Sequence, residues 1–165
     1  MNGSRGTMND ESDWSLIKME HIYYEGQVMW AQVDANNHLR HSAYADMAAQ
    51  ARLNLLNRIG LTFSEFSRYH LGPVLFREEL IYLREIRLDD YVRVTVVLTR
   101  TTEDYSRFSF RHEIYRSDDT LSAVITVDGA WIDTQKRKLA QIPEAWKELY
   151  VQIPRSEDFE ITTKQ

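Results

Sequence analysis

A chain of 165 residues, 43% hydrophobic and with a formal net charge of −5, is long enough for one packed domain and needs no second core. The acidic balance excludes the net basic face that phosphate backbones require, so no nucleic-acid partner is expected. No apolar run approaches the roughly 20 residues that span a bilayer, so no membrane partner is expected either. Cysteine is absent, which removes disulfides, thiolate zinc sites and a cysteine nucleophile and makes a cytoplasmic location the expectation.

Residues 1–13 are rich in Gly, Ser, Asn and acids, carry a second methionine at Met8, and show no charged-then-apolar secretory pattern. They are expected to be a loose leader or tag. Residues 14–153 are expected to form a single domain, and 154–165 a flexible polar tail. From His21 to Val33 the residues Ile22, Tyr24, Val28 and Trp30 share one face with period two, which predicts a first strand. Ser42 is placed to cap the next element, where Tyr44, Met47, Ala48, Ala51, Leu55 and Ile59 recur at helical spacing until Gly60. The result is a helix of about five turns. Its first half holds Ala43, Ala45, Ala48, Ala49 and Ala51, so little bulk would keep a sheet away from the backbone, and the helix is expected to be wrapped.

Thr62 to Leu71 predicts a second short helix through Phe63, Phe66 and Tyr69, ended by Gly72-Pro73. Strands are predicted at Val74 to Leu83, Tyr91 to Thr99, Ser106 to Tyr115 and Leu121 to Ile132. Turn-like residues at Arg87-Leu88-Asp89-Asp90, Glu103-Asp104 and Ser117-Asp118-Asp119 separate them and predict three antiparallel hairpins. A last short helix is predicted near Pro143 to Tyr150. Strand, long helix and four meandering strands define an α+β fold: two layers, with an antiparallel sheet of about five strands and a helix on one face.

The chemistry concentrates in the segment Val28 to Tyr44, where a strand runs into a polar turn holding Asp34, Asn36, Asn37 and His38 and then opens the long helix. Helix starts expose N–H groups without intrahelical partners and carry the positive end of the peptide dipole, which suits a developing oxyanion and hence acyl transfer. Thioester hydrolysis needs a carboxylate that attacks or deprotonates water, and Asp34 is the candidate. An Asp in such a place also commonly does no more than cap its turn. Asn36 and His38, two and four residues on, are candidates to orient water, hold the carbonyl or relay a proton, although a lone histidine is more often structural.

Trp30, Asp34, Asn36, His38, Tyr44 and Arg52, followed by Gly60-Leu61, resemble the hotdog-fold thioesterases, in which a long helix is wrapped by a curved antiparallel sheet. Two branches share the pattern: the 4-hydroxybenzoyl-CoA thioesterase-like acyl-CoA hydrolases, and the acyl-carrier-protein thioesterases with a D-x-N-x-H-x-x-x-x-x-Y run, here Asp34 to Tyr44. The resemblance covers about Glu20 to Ile142. It implies a hotdog fold, hydrolysis of an acyl-CoA or acyl-ACP thioester, a homodimer or homotetramer joined through sheet edges with sites at the subunit boundary, and no cofactor or metal. It also places Asp34 where the 4-hydroxybenzoyl-CoA type has its catalytic aspartate, and Asn36 and His38 where the carrier-protein branch has site residues. This sequence departs from the pattern at Gln32, at Asn37 (usually Gly), and at Arg40-His41. Asn is the residue after Gly that best tolerates a left-handed backbone.

Tyr44, Met47 and Ala48 are the candidate substrate-binding residues, although a stripe at helical spacing is usually plain core. Asp46, Glu78 and Glu79 are competing carboxylates ranked below Asp34. Arg77, Arg84, Arg107 and Arg111 are basic residues to which no coenzyme A contact is assigned. Two other functions stay open. One is a MaoC-like enoyl-CoA hydratase, whose Asp and His usually stand five apart where Asp34 and His38 stand four apart. The other is a non-catalytic acyl-CoA-binding module.

Overall fold

The computed structural model describes residues 21–163, so the expected leader at 1–13 lies outside the described residues. The first strand, β1 (Ile22–Gln27), is shorter than its alternating pattern, and the chain leaves the sheet in a 3₁₀ turn at Trp30–Gln32. Gln32 causes this: its side-chain oxygen accepts from the Met29 N–H at 2.9 Å, and its own N–H returns to the Met29 carbonyl at 2.9 Å. Trp30, expected on the core face, is therefore turned out and 77% exposed.

The long helix α1 (His41–Arg58) buries Ala43, Tyr44, Met47, Ala48, Ala51, Leu55 and Leu56, the face that its period of 3.6 defines. Ser42 is not its cap: the N-cap is Arg40, and the Ser42 hydroxyl instead accepts from Arg40 Nε at 2.8 Å. Gly60 ends the helix with φ 97°, a conformation costly to other residues. Helix α2 (Phe63–Tyr69) stops two residues earlier than Gly72-Pro73 suggests, because His70 adopts a left-handed conformation with φ 51° and reverses the chain at once. Gly72 and Pro73 then lie inside β2 (Leu71–Tyr82). Proline is tolerated there because β2 is an edge strand, where a missing N–H breaks no ladder.

Tyr91 to Thr102 is two strands, β3 (Tyr91–Thr95) and β4 (Val97–Thr102), divided at Val96, whose N–H donates to the His21 carbonyl at 3.1 Å. The break lets one long strand curl, with both halves paired to β5 (Arg107–Arg116). Next to β5 runs β6 (Leu121–Asp133), and outside it β2. The expected hairpin through Arg87 to Asp90 is therefore absent: β2 pairs with β6, whereas β3 lies across the sheet beside β1. The other two connections are antiparallel hairpins. A two-residue strand, β7 (Lys138–Leu139), extends β6, and α3 (Glu144–Tyr150) follows. Among the described residues the sheet has eight strands in place of about five.

The tail is not loose over 155–162. Those residues form β8 (Arg155–Thr162), parallel to β4. The Leu98 N–H donates to the Pro154 carbonyl at 2.8 Å, and Asp158 lies 3.7 Å from Arg111. A polar composition concealed this strand, since an edge strand with one solvated face needs few apolar residues. Helix α3 is held by Trp146, fully buried, whose ring meets Trp131 edge-on at 5.2 Å and whose indole N–H donates to Glu65 at 3.0 Å. It thereby pins α2 over the sheet.

The sheet curls around α1, so that Phe108, Phe110, His112 and Ile114 of β5 face the helix as their alternation predicts. Among them His112 is completely buried. Its Nδ1–H donates to the Ile125 carbonyl at 3.1 Å, which leaves the Nε2 lone pair to accept from Arg52 Nη1 at 3.2 Å. Burial, reinforced by the Arg52 charge, pushes the pKa of His112 from 6.5 down to about 3. The unfolded chain thus takes up a proton below about pH 6.5 that the folded chain refuses until about pH 3. This contribution to stability is complete above that range and is lost as pH falls through it. Urea midpoints are expected to decline from pH 7 to pH 4.5, and the decline to be shallower in His112→Gln; equal slopes in the two proteins would contradict the assignment.

Candidate functional site

The turn after the 3₁₀ segment is built by Asp34. Its Oδ1 accepts from the Asn36 N–H at 2.8 Å and the His38 N–H at 3.1 Å, while its own N–H donates to the His38 carbonyl at 2.8 Å. Asn37 completes the reversal with φ 61°, the conformation in which this family-like pattern usually carries Gly. The turn is then clamped to the loop after β2. Leu39 N–H donates to the Ile86 carbonyl at 2.6 Å, and His38 forms an antiparallel bridge with Arg87. Arg40 ties the exit to the entry, with its N–H on the Gln32 carbonyl at 2.7 Å and its guanidinium on the Ala31 carbonyl at 2.6 Å.

Two segments distant in sequence thus face each other across a cleft of about 380 Å³ lined by Asp34, His38, His41, Tyr44, Tyr82 and Glu85, among others. The capping role of Asp34 is real, but it occupies one oxygen only. Among the described residues Asp34 Oδ2 has no hydrogen-bond partner. No side chain caps the start of α1, and among the described residues the His41 and Ser42 amides keep the unpartnered N–H groups that a helix start provides. His38 Nε2 lies 3.0 Å from Glu85 Oε2. Glu85 is held below the usual carboxylate range, chiefly by its hydrogen bond from Arg87 and to a lesser degree by His38. Tyr44 forms the floor, edge-on to Tyr82 at 5.1 Å, and burial raises the pKa of its phenol. Tyr82 in turn donates to the His41 carbonyl at 3.4 Å.

Of the residues singled out by sequence, the structure brings Asp34, His38 and Tyr44 to one cleft. Asn36 is exposed and contributes its backbone N–H to the turn, outside the cleft lining. Met47 and Ala48 are fully enclosed core residues and line neither this cleft nor a second cavity further along α1. Asp46, Glu78 and Glu79 also lie off the cleft lining, and Glu79 is paired with Arg77 at 2.6 Å. Glu85 and Tyr82 are the residues that sequence reading missed. Their signal is only that a charged residue follows the exposed end of a strand, and without the β2–β6 pairing nothing places it opposite His38.

The chain belongs to the thioesterase-like superfamily, whose family model matches residues 28–149. No match was found among curated proteins. The wrapped helix is the hotdog fold of solved thioesterase structures. Staphylococcus aureus SAV2348, solved in complex with CoA, superposes with a TM-score of 0.73 at 20% identity, over 87% of this chain and 89% of that one. Slr0204, a 1,4-dihydroxy-2-naphthoyl-CoA thioesterase from Synechocystis, gives 0.69 at 21% identity, over 78% and 93%. YbaW, a probable thioesterase from Escherichia coli, gives 0.70 at 17% identity, over 82% and 100%.

The left-handed turn supplies a direct check on the site's architecture. Asn37→Gly is expected to leave folding intact or gain a few tenths of a kcal/mol, whereas Asn37→Val should cost about 1–2 kcal/mol, read from urea unfolding. Equal stabilities would show that the turn does not impose this backbone.

Proposed function

We propose that the protein is an acyl-CoA thioesterase that hydrolyses its substrate in the cleft between the Asp34 turn and the end of β2. The observation that carries the reading is the Asp34 carboxylate: one oxygen is fixed by two backbone N–H groups, and the other is left free in a cleft that begins at a helix start. Its position is set by the turn, so little reorganisation accompanies reaction. Asp34 Oδ2 attacks the thioester carbonyl or takes a proton from the attacking water. The His41 and Ser42 N–H groups, at the positive end of the helix dipole, hold the oxyanion. Where water attacks, collapse expels the thiolate, which takes up the proton that Asp34 removed from the water, and leaves the free acid; where Asp34 attacks, collapse leaves an acyl-aspartyl anhydride that a water molecule then hydrolyses to the free acid, restoring the carboxylate. His38, oriented by Glu85, serves proton transfer beside the carboxylate. Of the four basic residues considered from sequence, Arg84 lines this cleft and is the side chain proposed to meet a coenzyme A phosphate.

Superfamily membership supports the reaction class, and the CoA thioesterases among its structural neighbours support a CoA ester over other thioesters. The acyl group is open. Release of thiol from a panel of acyl-CoA esters, read with a thiol reagent, separates hydrolysis from hydration or from binding alone. Asp34→Asn should lower kcat by about 10³-fold or more with folding retained, and His38→Ala by about 10–100-fold. Wild-type rates in Asp34→Asn on the best ester would end this assignment.

The functional unit is proposed to be a homodimer or a dimer of dimers. Edge strand β2 and the residue after it expose Leu75, Phe76, Ile81, Tyr82 and Leu83, and Tyr82 and Leu83 also line the cleft. An unpaired apolar edge is a liability in a monomer, and pairing it with a second copy would set each cleft at the subunit boundary. Light scattering at micromolar concentration should give at least twice the 19.5 kDa chain mass; a monomer would count against the assembly.

A further inference from the structure

A second cavity lies further along α1, away from the cleft. It occupies about 330 Å³ between α1, α2 and the sheet and is lined by Ala49, Leu53, Leu56, Phe63, Phe66, Pro73, Leu75, Phe108, Phe110 and Trp131, with Arg52 as its one charged residue. Arg52 stands eleven positions after His41, roughly 16 Å along the helix by its rise per residue. Its volume is at the small end of ligand pockets, which run from about 300 to 1,000 Å³. The two sites therefore differ in place and in chemistry: a polar cleft at the helix start, and an aromatic chamber with a single cation.

Arg52 is unusual in what it lacks. Among the described residues no carboxylate forms an ion pair with it; its one hydrogen-bonded partner is His112 Nε2 at 3.2 Å. His112 is held neutral, so the guanidinium is steered by a lone pair and its charge is not cancelled. Burial lowers the pKa of Arg52, with Glu78 opposing at longer range. A guanidinium has five donors in a planar fork, and only one is used here on His112. The half-buried Arg52 therefore keeps donors that reach the cavity and its solvent, where a bound anion can take the place of water.

We propose that this cavity binds an apolar monocarboxylate, with its carboxylate forked on Arg52 and a compact aryl or alkyl body among Phe63, Phe66, Phe108 and Phe110. Charge complementarity selects the headgroup: a carboxylate accepts two parallel N–H bonds from a guanidinium. The lining selects the body, because the phenylalanine rings offer edges and faces to a flat ring or a short chain. Phe63, 69% exposed and packed edge-on against Phe66 at 5.7 Å, stands at the mouth. The proposal does not depend on where a thioester is cut, although thioester hydrolysis releases acids of this class.

The test is calorimetric titration of the full chain with 2-naphthoate and with 2-naphthylmethanol, which keeps the ring system but not the charge. Wild-type protein should bind the acid about tenfold more tightly than the alcohol, and Arg52→Met should remove that preference. Arg52→Met loses the contact to His112, so a second variant guards against misfolding. Ala49 is exposed and lines the cavity, and Ala49→Phe should fill the chamber and weaken both ligands about tenfold without disturbing the fold. Asp34→Asn should bind 2-naphthoate as the wild type does. No binding by wild-type protein at about 1 mM, equal affinity for acid and alcohol, or a loss in Asp34→Asn with Arg52→Met unaffected would overturn the proposal. None of these readouts requires turnover, so failure here and failure of the thioesterase reading are distinguishable.

Discussion

The pair of hydrogen bonds that Asp34 Oδ1 accepts from the Asn36 and His38 amides is the constraint on which the rest of the site depends. They close the five-residue segment from Asp34 to His38 tightly, with Asn37 in the left-handed region, and they fix the direction in which the chain departs toward α1. The Leu39 to Ile86 hydrogen bond then fastens the turn to the loop after β2, so that Asp34 and the end of an edge strand face each other. A capping carboxylate and a catalytic carboxylate are often treated as rival readings of one residue. Here capping uses a single oxygen, and the rigidity it confers would serve the second oxygen in the reaction proposed for it.

The curled sheet makes that arrangement possible. Alanines at 43, 48 and 51 are buried along α1, and their small side chains let the sheet close around the helix. The ladder break at Val96 lets the strand pair β3–β4 bend around it. Tryptophans 131 and 146 hold α2 and α3 against the open side. As a result α1 presents its N-terminus to a polar cleft and its middle to an aromatic chamber. Two environments of opposite character share one helix, and Arg52 is the single charge carried into the second.

Much of this was legible in the sequence, for reasons that can be named. Hydrophobic periodicity located α1 and the inner strands because their packing faces are continuous, and Gly60 marked the helix end because only glycine takes φ 97° cheaply. The polar turn that holds Asp34 is legible in its Asp, Asn and His residues. What escaped were features decided by partners distant in the chain. The pairing of β2 with β6 cannot be seen in β2 itself, so the Arg87–Asp90 connection read as a hairpin, and Glu85 went unpaired with His38. Strand β8 was hidden by its solvated face. Met47 and Ala48 carry a stripe that fits a pocket wall and a core equally well, and the core has them. In the sequence Arg52 stands only as part of a motif; that no carboxylate among the described residues pairs with it is visible only in three dimensions.

The most direct measurement is a crystal structure with an acyl-CoA analogue in which a methylene group replaces the thioester sulfur. The account predicts the ketone carbon in the cleft beside Asp34 Oδ2, its oxygen on the His41 or Ser42 amide, and the pantetheine leaving past Tyr82 and Arg84. An analogue whose ketone lies elsewhere, as against Arg52 in the aromatic chamber, would contradict it.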